Sequence, residues 1–142
     1  MEIRNLSYDS YDSLIALWNK AYLSYRPEGR DAREEMKIEF EKNPDLIIGA
    51  FEGNELIGAI IGTDDGRKGW INRLAVDPNY RQKGIATRLI HALESALKKR
   101  GRRIICTLIE DWNVNSLSLF KNAGYVTHDD IHYLSKREGD HI

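Results

Sequence analysis

The stretch Val76–Ile90, "VDPNYRQKGIATRLI", constrains the fold of this chain more than any other. An apolar run, "WINRLAV", stops at Asp77-Pro78. A short basic loop with one glycine follows, and an amphipathic helix starts at once. A strand that enters a helix through so short a loop predicts a strand–helix–strand unit. Its two strands should pair in parallel through a right-handed crossover. "RIICTLI" supplies the second strand, and its nearly continuous apolar, β-rich run predicts burial on both faces.

The other elements fall on either side of this unit. Ile3 to Leu6 reads as a short strand. Ser7 or Asp9 then caps a helix to about Tyr22, with Leu14, Leu17, Trp18 and Ala21 on one face. "YRPEGR" breaks that helix, and a second one over about Asp31–Glu41 presents Met36 and Phe40. "DLIIGAF", a Gly53-Asn54 turn and "ELIGAIIGT" predict an antiparallel hairpin. The helix after Gly84 runs to about Arg100 with a stripe of Leu89, Ile90, Leu93, Ala96 and Leu97, and Gly101 follows as a C′ residue. A fourth helix covers about Val114 to Ala123, and "YVTHDDIHYLS" predicts one or two closing strands. The order is β-α-α-β-β-β-α-β-α-β-β, a mixed α/β sheet covered by helices. One domain spans residues 1–142, with about 136–142 expected to fray.

Charge removes some functions. Lys plus Arg total 21 and Asp plus Glu total 22, so nothing draws the whole chain to nucleic acid or to an anionic membrane. No apolar stretch is long enough to span a bilayer, and "MEIRNLSYDS" has no apolar leader. A cytoplasmic location is expected. The single cysteine, Cys106, reads as a small buried apolar residue. His128, His132 and His141 have no metal-ligand spacing with it, so no metal is expected.

The basic loop has a physical reading. A helix start carries amide groups without partners and the positive end of the helix dipole. Gly84 keeps a side chain away from an approaching anion, Ala86 keeps the next turn narrow, Arg81 and Lys83 add positive field, and Thr87 offers a hydroxyl. The residues Arg81-Gln82-Lys83-Gly84-Ile85-Ala86 lack both the ending of a nucleoside-triphosphate P-loop and the pattern of a dinucleotide fold. Taken alone, they fit a tight connection with ordinary surface cations equally well.

With its flanks, "WINRLAVDPNYRQKGIATRLIHALESALKKRG" resembles the central motif of the GCN5-related N-acetyltransferase (GNAT) superfamily. "NVNSLSLFKNAGYV" resembles the family's second motif at Asn113, Ser116, Phe120, Gly124 and Tyr125. The first strand and helix also resemble the family, so the likeness covers nearly the whole chain. "RPEG", "NPDL" and "DDGRKGW" resemble a bacterial and archaeal subgroup of small acetyltransferases.

The resemblance implies acetyl-CoA as co-substrate. Its pyrophosphate would sit on the amides of Gln82, Lys83, Gly84, Ile85, Ala86 and Thr87, beside Arg81. Its pantetheine arm would lie along Leu74, Ala75 and Val76 like an added strand, with Asn113 and Phe120 on the far side. An amide near Val76 would polarise the thioester carbonyl. The acceptor would be an amine-bearing small molecule or a protein or peptide, attacking directly. The family allows a homodimer.

The family often places a tyrosine acid where this chain has Phe120, and a glutamate base where it has Trp70, Asn72 or Leu108. Ribosomal-protein alanine acetyltransferases carry such groups, so the departure argues against that activity. The catalytic groups are therefore unknown, with Asp64, Asp65, Glu110 and Tyr133 as candidates beside Asp111, Tyr25 and Glu28. A water chain could serve instead, and a thiol ionising near pH 8.5 leaves without much help. A lysine ε-amine is only about 0.04% neutral at pH 7, against about 10% for an α-amine, so a chain without a strong base suits an acceptor of low pKa. The loop Tyr22–Arg30 and the segment Tyr125–Tyr133 should shape the acceptor site, and their mixed charges give no preferred sign. A coenzyme-binding or regulatory module that has lost catalysis is the alternative function. A binder of some other phosphate ligand is a third.

Overall fold

The computed structural model describes residues 1–142. The strands are β1 (Glu2–Asn5), β2 (Ile47–Glu52), β3 (Glu55–Asp64), β4 (Gly69–Val76) and β5 (Ile105–Thr107). The α-helices are α1 (Tyr11–Lys20), α2 (Arg33–Lys42), α3 (Ile85–Lys99) and α4 (Val114–Asn122). The sheet runs β1-β2-β3-β4-β5, antiparallel up to β4 and parallel between β4 and β5. This is the mixed α/β architecture the sequence predicts.

Local chemistry explains the elements. Gly53 at φ 61° turns β2 into β3 across the Glu52–Glu55 pair. β3 lies mid-sheet, and its apolar run is buried from Leu56 to Gly62. The α3 stripe lands on the sheet with Leu89, Ile90, Leu93 and Leu97 fully buried, each worth about 1.5–3 kcal/mol. Glycines let it close in. A Cβ at Gly62 would stand 2.7 Å from Leu93 Cδ1, and one at Gly69 would stand 2.6 Å from Leu97 Cδ1. On the other face, α1 and α2 bury Tyr11, Leu14, Leu17, Trp18, Met36 and Phe40. The sheet therefore separates two cores, one under α1 and α2 and one under α3 and α4.

The structure differs from the sequence reading at both ends of the sheet's last third. The closing strands over Tyr125–Ser135 do not form. Val126, Ile131, Tyr133 and Leu134 stand exposed, and Thr127 to Asp130 break any apolar alternation between them. β5 is consequently an edge strand, and it is short and half-exposed where burial on both faces was expected. Cys106 is half-exposed for the same reason. The tail after Ser135 has no helix or strand, but the main chain of His141 and Ile142 rests on Gly29. Neither Ser7 nor Asp9 caps α1, because a 3-10 turn over Tyr8–Ser10 opens it instead.

Candidate functional site

The basic loop is built by one buried carboxylate. Asp77 ends β4 with its amide on Ile57 O at 2.8 Å, and its side chain accepts from the Asn79 amide at 2.9 Å. Lys20, at the end of α1, lies 3.7 Å from the other oxygen. A 3-10 turn over Pro78–Tyr80 follows. The main chain then enters the left-handed region twice, at Gln82 (φ 63°) and Gly84 (φ 77°). Such alternation turns successive amides towards one concavity, an arrangement that holds anions. No amide from Arg81 to Thr87 donates a hydrogen bond within the chain. A Cβ at Gly84 would meet nothing within 4 Å. Arg81, Gln82 and Lys83 are exposed, Ile85 is buried in the α3 core, and Ala86 and Thr87 are half-exposed.

Beside this cradle the sheet opens. β4 and β5 pair only at Gly69–Ile105, Trp70–Cys106 and Ile71–Thr107. Asn72 is then an extra residue in β4, since Ile61 faces Arg73 and Gly62 faces Ile71. Leu74, Ala75 and Val76 stay paired to β3 on one side and have no strand on the other. The Asp77 amide points to β3, so the alternation of a strand turns the polar groups of Leu74 and Val76 to the open side. Across the gap, Asn113 caps α4 by accepting from the Ser116 amide at 3.3 Å, which leaves its Nδ2 without a partner. Phe120 is buried edge-on against Tyr125, ring centres 5.1 Å apart. The Tyr125 hydroxyl donates to Glu94 on α3 at 2.7 Å. Burial first, then the Glu94 carboxylate, push that phenol well above its ordinary pKa, so it stays protonated.

The catalytic candidates are not brought together. Asp64 ends β3 opposite Gly69 and Asp65 opens the β3–β4 turn, roughly 20 Å of strand from Val76. Asp64 faces Arg100 and Arg102 and accepts from the Gly66 amide. Asp65 accepts from the Lys68 and Arg67 amides and from the Trp70 indole, which hold its carboxyl down at about 2. Both carboxylates fasten the turn. Glu110 is exposed just past β5, near the opening, with its carbonyl accepting from the Asn113 amide. Tyr133 stands exposed in the irregular segment.

The sequence reading missed one buried pair. Arg73, on the α1–α2 face of β4, donates to Asp31 at 2.6 Å and to Ser24 O at 2.9 Å, with its guanidinium 5.2 Å over the Trp18 ring. Asp31 also accepts from the Arg26 amide at 2.7 Å, and its carbonyl takes the Tyr11 hydroxyl. The α1–α2 loop is thereby fastened to β4 just past its bulge. An arginine inside the apolar run "WINRLAV" was the signal, since a charge there needs a partner.

The site is thus a cradle of free amides at a helix mouth, beside a strand whose edge has lost its neighbour. The acetyltransferase (GNAT) family model matches residues 11–125, and the chain belongs to that family. It is 34% identical over 137 residues to an acetyltransferase of Sodalis glossinidius, covering 96% of this chain and 95% of that one. The fold matches the PaiA N-acetyltransferase of Thermoplasma acidophilum, solved with coenzyme A, at TM-score 0.80 and 24% identity over 90% of this chain and 91% of that one. It also matches the acetyltransferase AAC(6')-Iy, solved with a bisubstrate analogue, at TM-score 0.77 and 18% identity over 96% of this chain and 97% of that one.

Proposed function

We propose that this chain transfers the acetyl group of acetyl-CoA to a primary amine by direct attack. The run of unbonded amides from Arg81 to Thr87, next to the open edge of β4, carries this reading. These amides suit a diphosphate, with Arg81 and Lys83 adding charge. Leu74 and Val76 suit an extended amide-bearing arm, and the free Asn113 Nδ2 suits it from the far side. Acetyl-CoA supplies an activated acyl carbon. The neutral amine nitrogen forms a bond to that carbon as the carbon–sulfur bond breaks, CoA leaves as a thiolate, and the proton released from the nitrogen passes to water or to that thiolate. The Val76 amide polarises the thioester carbonyl in this reading, a contribution of order 2.7–4 kcal/mol for one such donor.

The acceptor best suited is an amine of low pKa, because Asp64 and Asp65 are committed to the turn and Phe120 has no proton to give. Those same observations favour a second reading, a coenzyme-binding module without turnover. CoA release from acetyl-CoA with a panel of α-amines and lysine analogues, measured against release without acceptor, separates the two. The proposal predicts amine-dependent release, faster with α-amines. Coenzyme binding without amine-dependent release supports the module, and faster release with lysine analogues contradicts the low-pKa acceptor.

A further inference from the structure

The cradle loop is held from its two ends alone. Arg81, Gln82 and Lys83 make no main-chain hydrogen bond to one another or to the rest of the chain. Gln82 nevertheless keeps a left-handed backbone, φ 63°, which a residue with a side chain adopts only where its surroundings impose it. Downstream, the support is α3, seated in its core by Ile85. Upstream, the support is the 3-10 turn Pro78–Tyr80, and that turn is built on Asp77. The Asn79 amide donates to the Asp77 Oδ1 at 2.9 Å, and the Tyr80 amide donates to the Asp77 carbonyl at 2.9 Å. The Lys83 ammonium reaches back to the same turn, 5.4 Å from the Tyr80 ring centre.

The side chain under this turn is a charge in a dry place. The Asp77 carboxylate is only 3% exposed, and a carboxylate so buried needs a counter-charge. Lys20, the last residue of α1, supplies it with Nζ at 3.7 Å from Oδ2, and no other cation pairs with Asp77. Lys20 also stands 4.0 Å from Glu55 at the start of β3. Other carboxylates crowd the turn. The field of Glu55, then burial, then the fields of Glu52 and Asp77 push the Tyr80 phenol above its ordinary pKa. Glu52 is answered by the Met1 amine at 3.5 Å, whereas Glu55 and Asp77 share Lys20.

We propose that Lys20 is a positioning residue for the coenzyme. As the counter-charge of Asp77 it fixes the turn from which the cradle presents its amides, so α1 and coenzyme binding are coupled through one ion pair. This rests on the reading of the loop as a coenzyme cradle and adds a residue that acts through Asp77, not on the coenzyme.

Titration calorimetry with CoA on the full chain tests this through a double-mutant cycle. Lys20→Met should bind CoA about three- to fivefold more weakly, the size of one partly exposed ion pair. Lys20→Arg keeps the charge and should bind within about twofold of the parent. Asp77→Asn keeps an oxygen for the Asn79 amide but needs no counter-charge. In that background Lys20→Met should change affinity by less than about 1.5-fold. A role in folding alone would lower the number of binding sites and leave their affinity unchanged, and that result overturns the proposal. Unchanged affinity in Lys20→Met overturns it, as does Lys20→Arg binding as weakly as Lys20→Met. An equal loss in both backgrounds also overturns it, because Lys20 would then attract the coenzyme directly. Each of these leaves the cradle reading intact while the parent binds CoA. A parent that does not bind CoA overturns both.

Discussion

Replacing Asp31 with asparagine removes a charge from the interior and keeps the shape. The amide oxygen can still accept from the Arg26 amide, so the main change is that Arg73 loses its counter-charge. The two side chains are only 6% and 15% exposed. Breaking a buried pair by removing one partner costs about 3–5 kcal/mol. Arg73 keeps Ser24 O and some access to water, so the low end, about 3 kcal/mol, applies. For a chain of this length that lowers the melting temperature by about 10 °C. Adding Arg73→Met removes the stranded charge, so Asp31→Asn/Arg73→Met should melt above Asp31→Asn alone. Calorimetry and urea unfolding read both variants. A fall of less than about 2 °C for Asp31→Asn, or a double variant weaker than the single, would refute the argument.

Other outcomes follow from particular contacts. Gly62→Ala should cost about 1–3 kcal/mol, because the new methyl meets Leu93 at 2.7 Å, and Leu93→Ala should cost about 2–5 kcal/mol. Combined, the two should cost less than their sum, and strict additivity in urea unfolding would show that they do not share that space. Tyr125→Phe should lose about 1.5 kcal/mol by removing the bond to Glu94, and no change on unfolding would contradict that bond. Asp65 is held at about 2, below its ordinary 3.8, so its contribution is complete above 3.8 and is lost as pH falls to about 2. Asp65→Asn should flatten the stability curve across that window, and an unchanged slope would count against the turn contacts.

Much of the fold was legible because it rests on local chemistry. The Gly53 turn, the α3 stripe and the short loop after Asp77 each specify their element within a few residues. β5 and the segment after Gly124 were misread for a shared reason. A strand's burial depends on whether a neighbour pairs with it, and the run "RIICTLI" does not say that its outer edge is empty. The cradle was readable as a motif, since its amides follow from a helix start. The Asp31–Arg73 pair joins residues 42 positions apart, and only tertiary packing brings them together. Asp65 looked free in the sequence because its partners, main-chain amides and an indole, leave no charge pattern to read, and Asp64 because its arginine partners, Arg100 and Arg102, lie far along the chain.

The cradle itself is tested most directly by coenzyme affinity in two matched glycine variants. Gly84 and Gly101 both have positive φ, 77° and 89°, and a Cβ at either would meet nothing within 4 Å. Valine at either site imposes a similar backbone strain, but only at Gly84 does it fill the space before the free amides. Titration calorimetry with CoA should show Gly84→Val binding at least about tenfold more weakly, while Gly101→Val binds as the parent does. Equal affinity in the Gly84 variant and the parent would contradict the account.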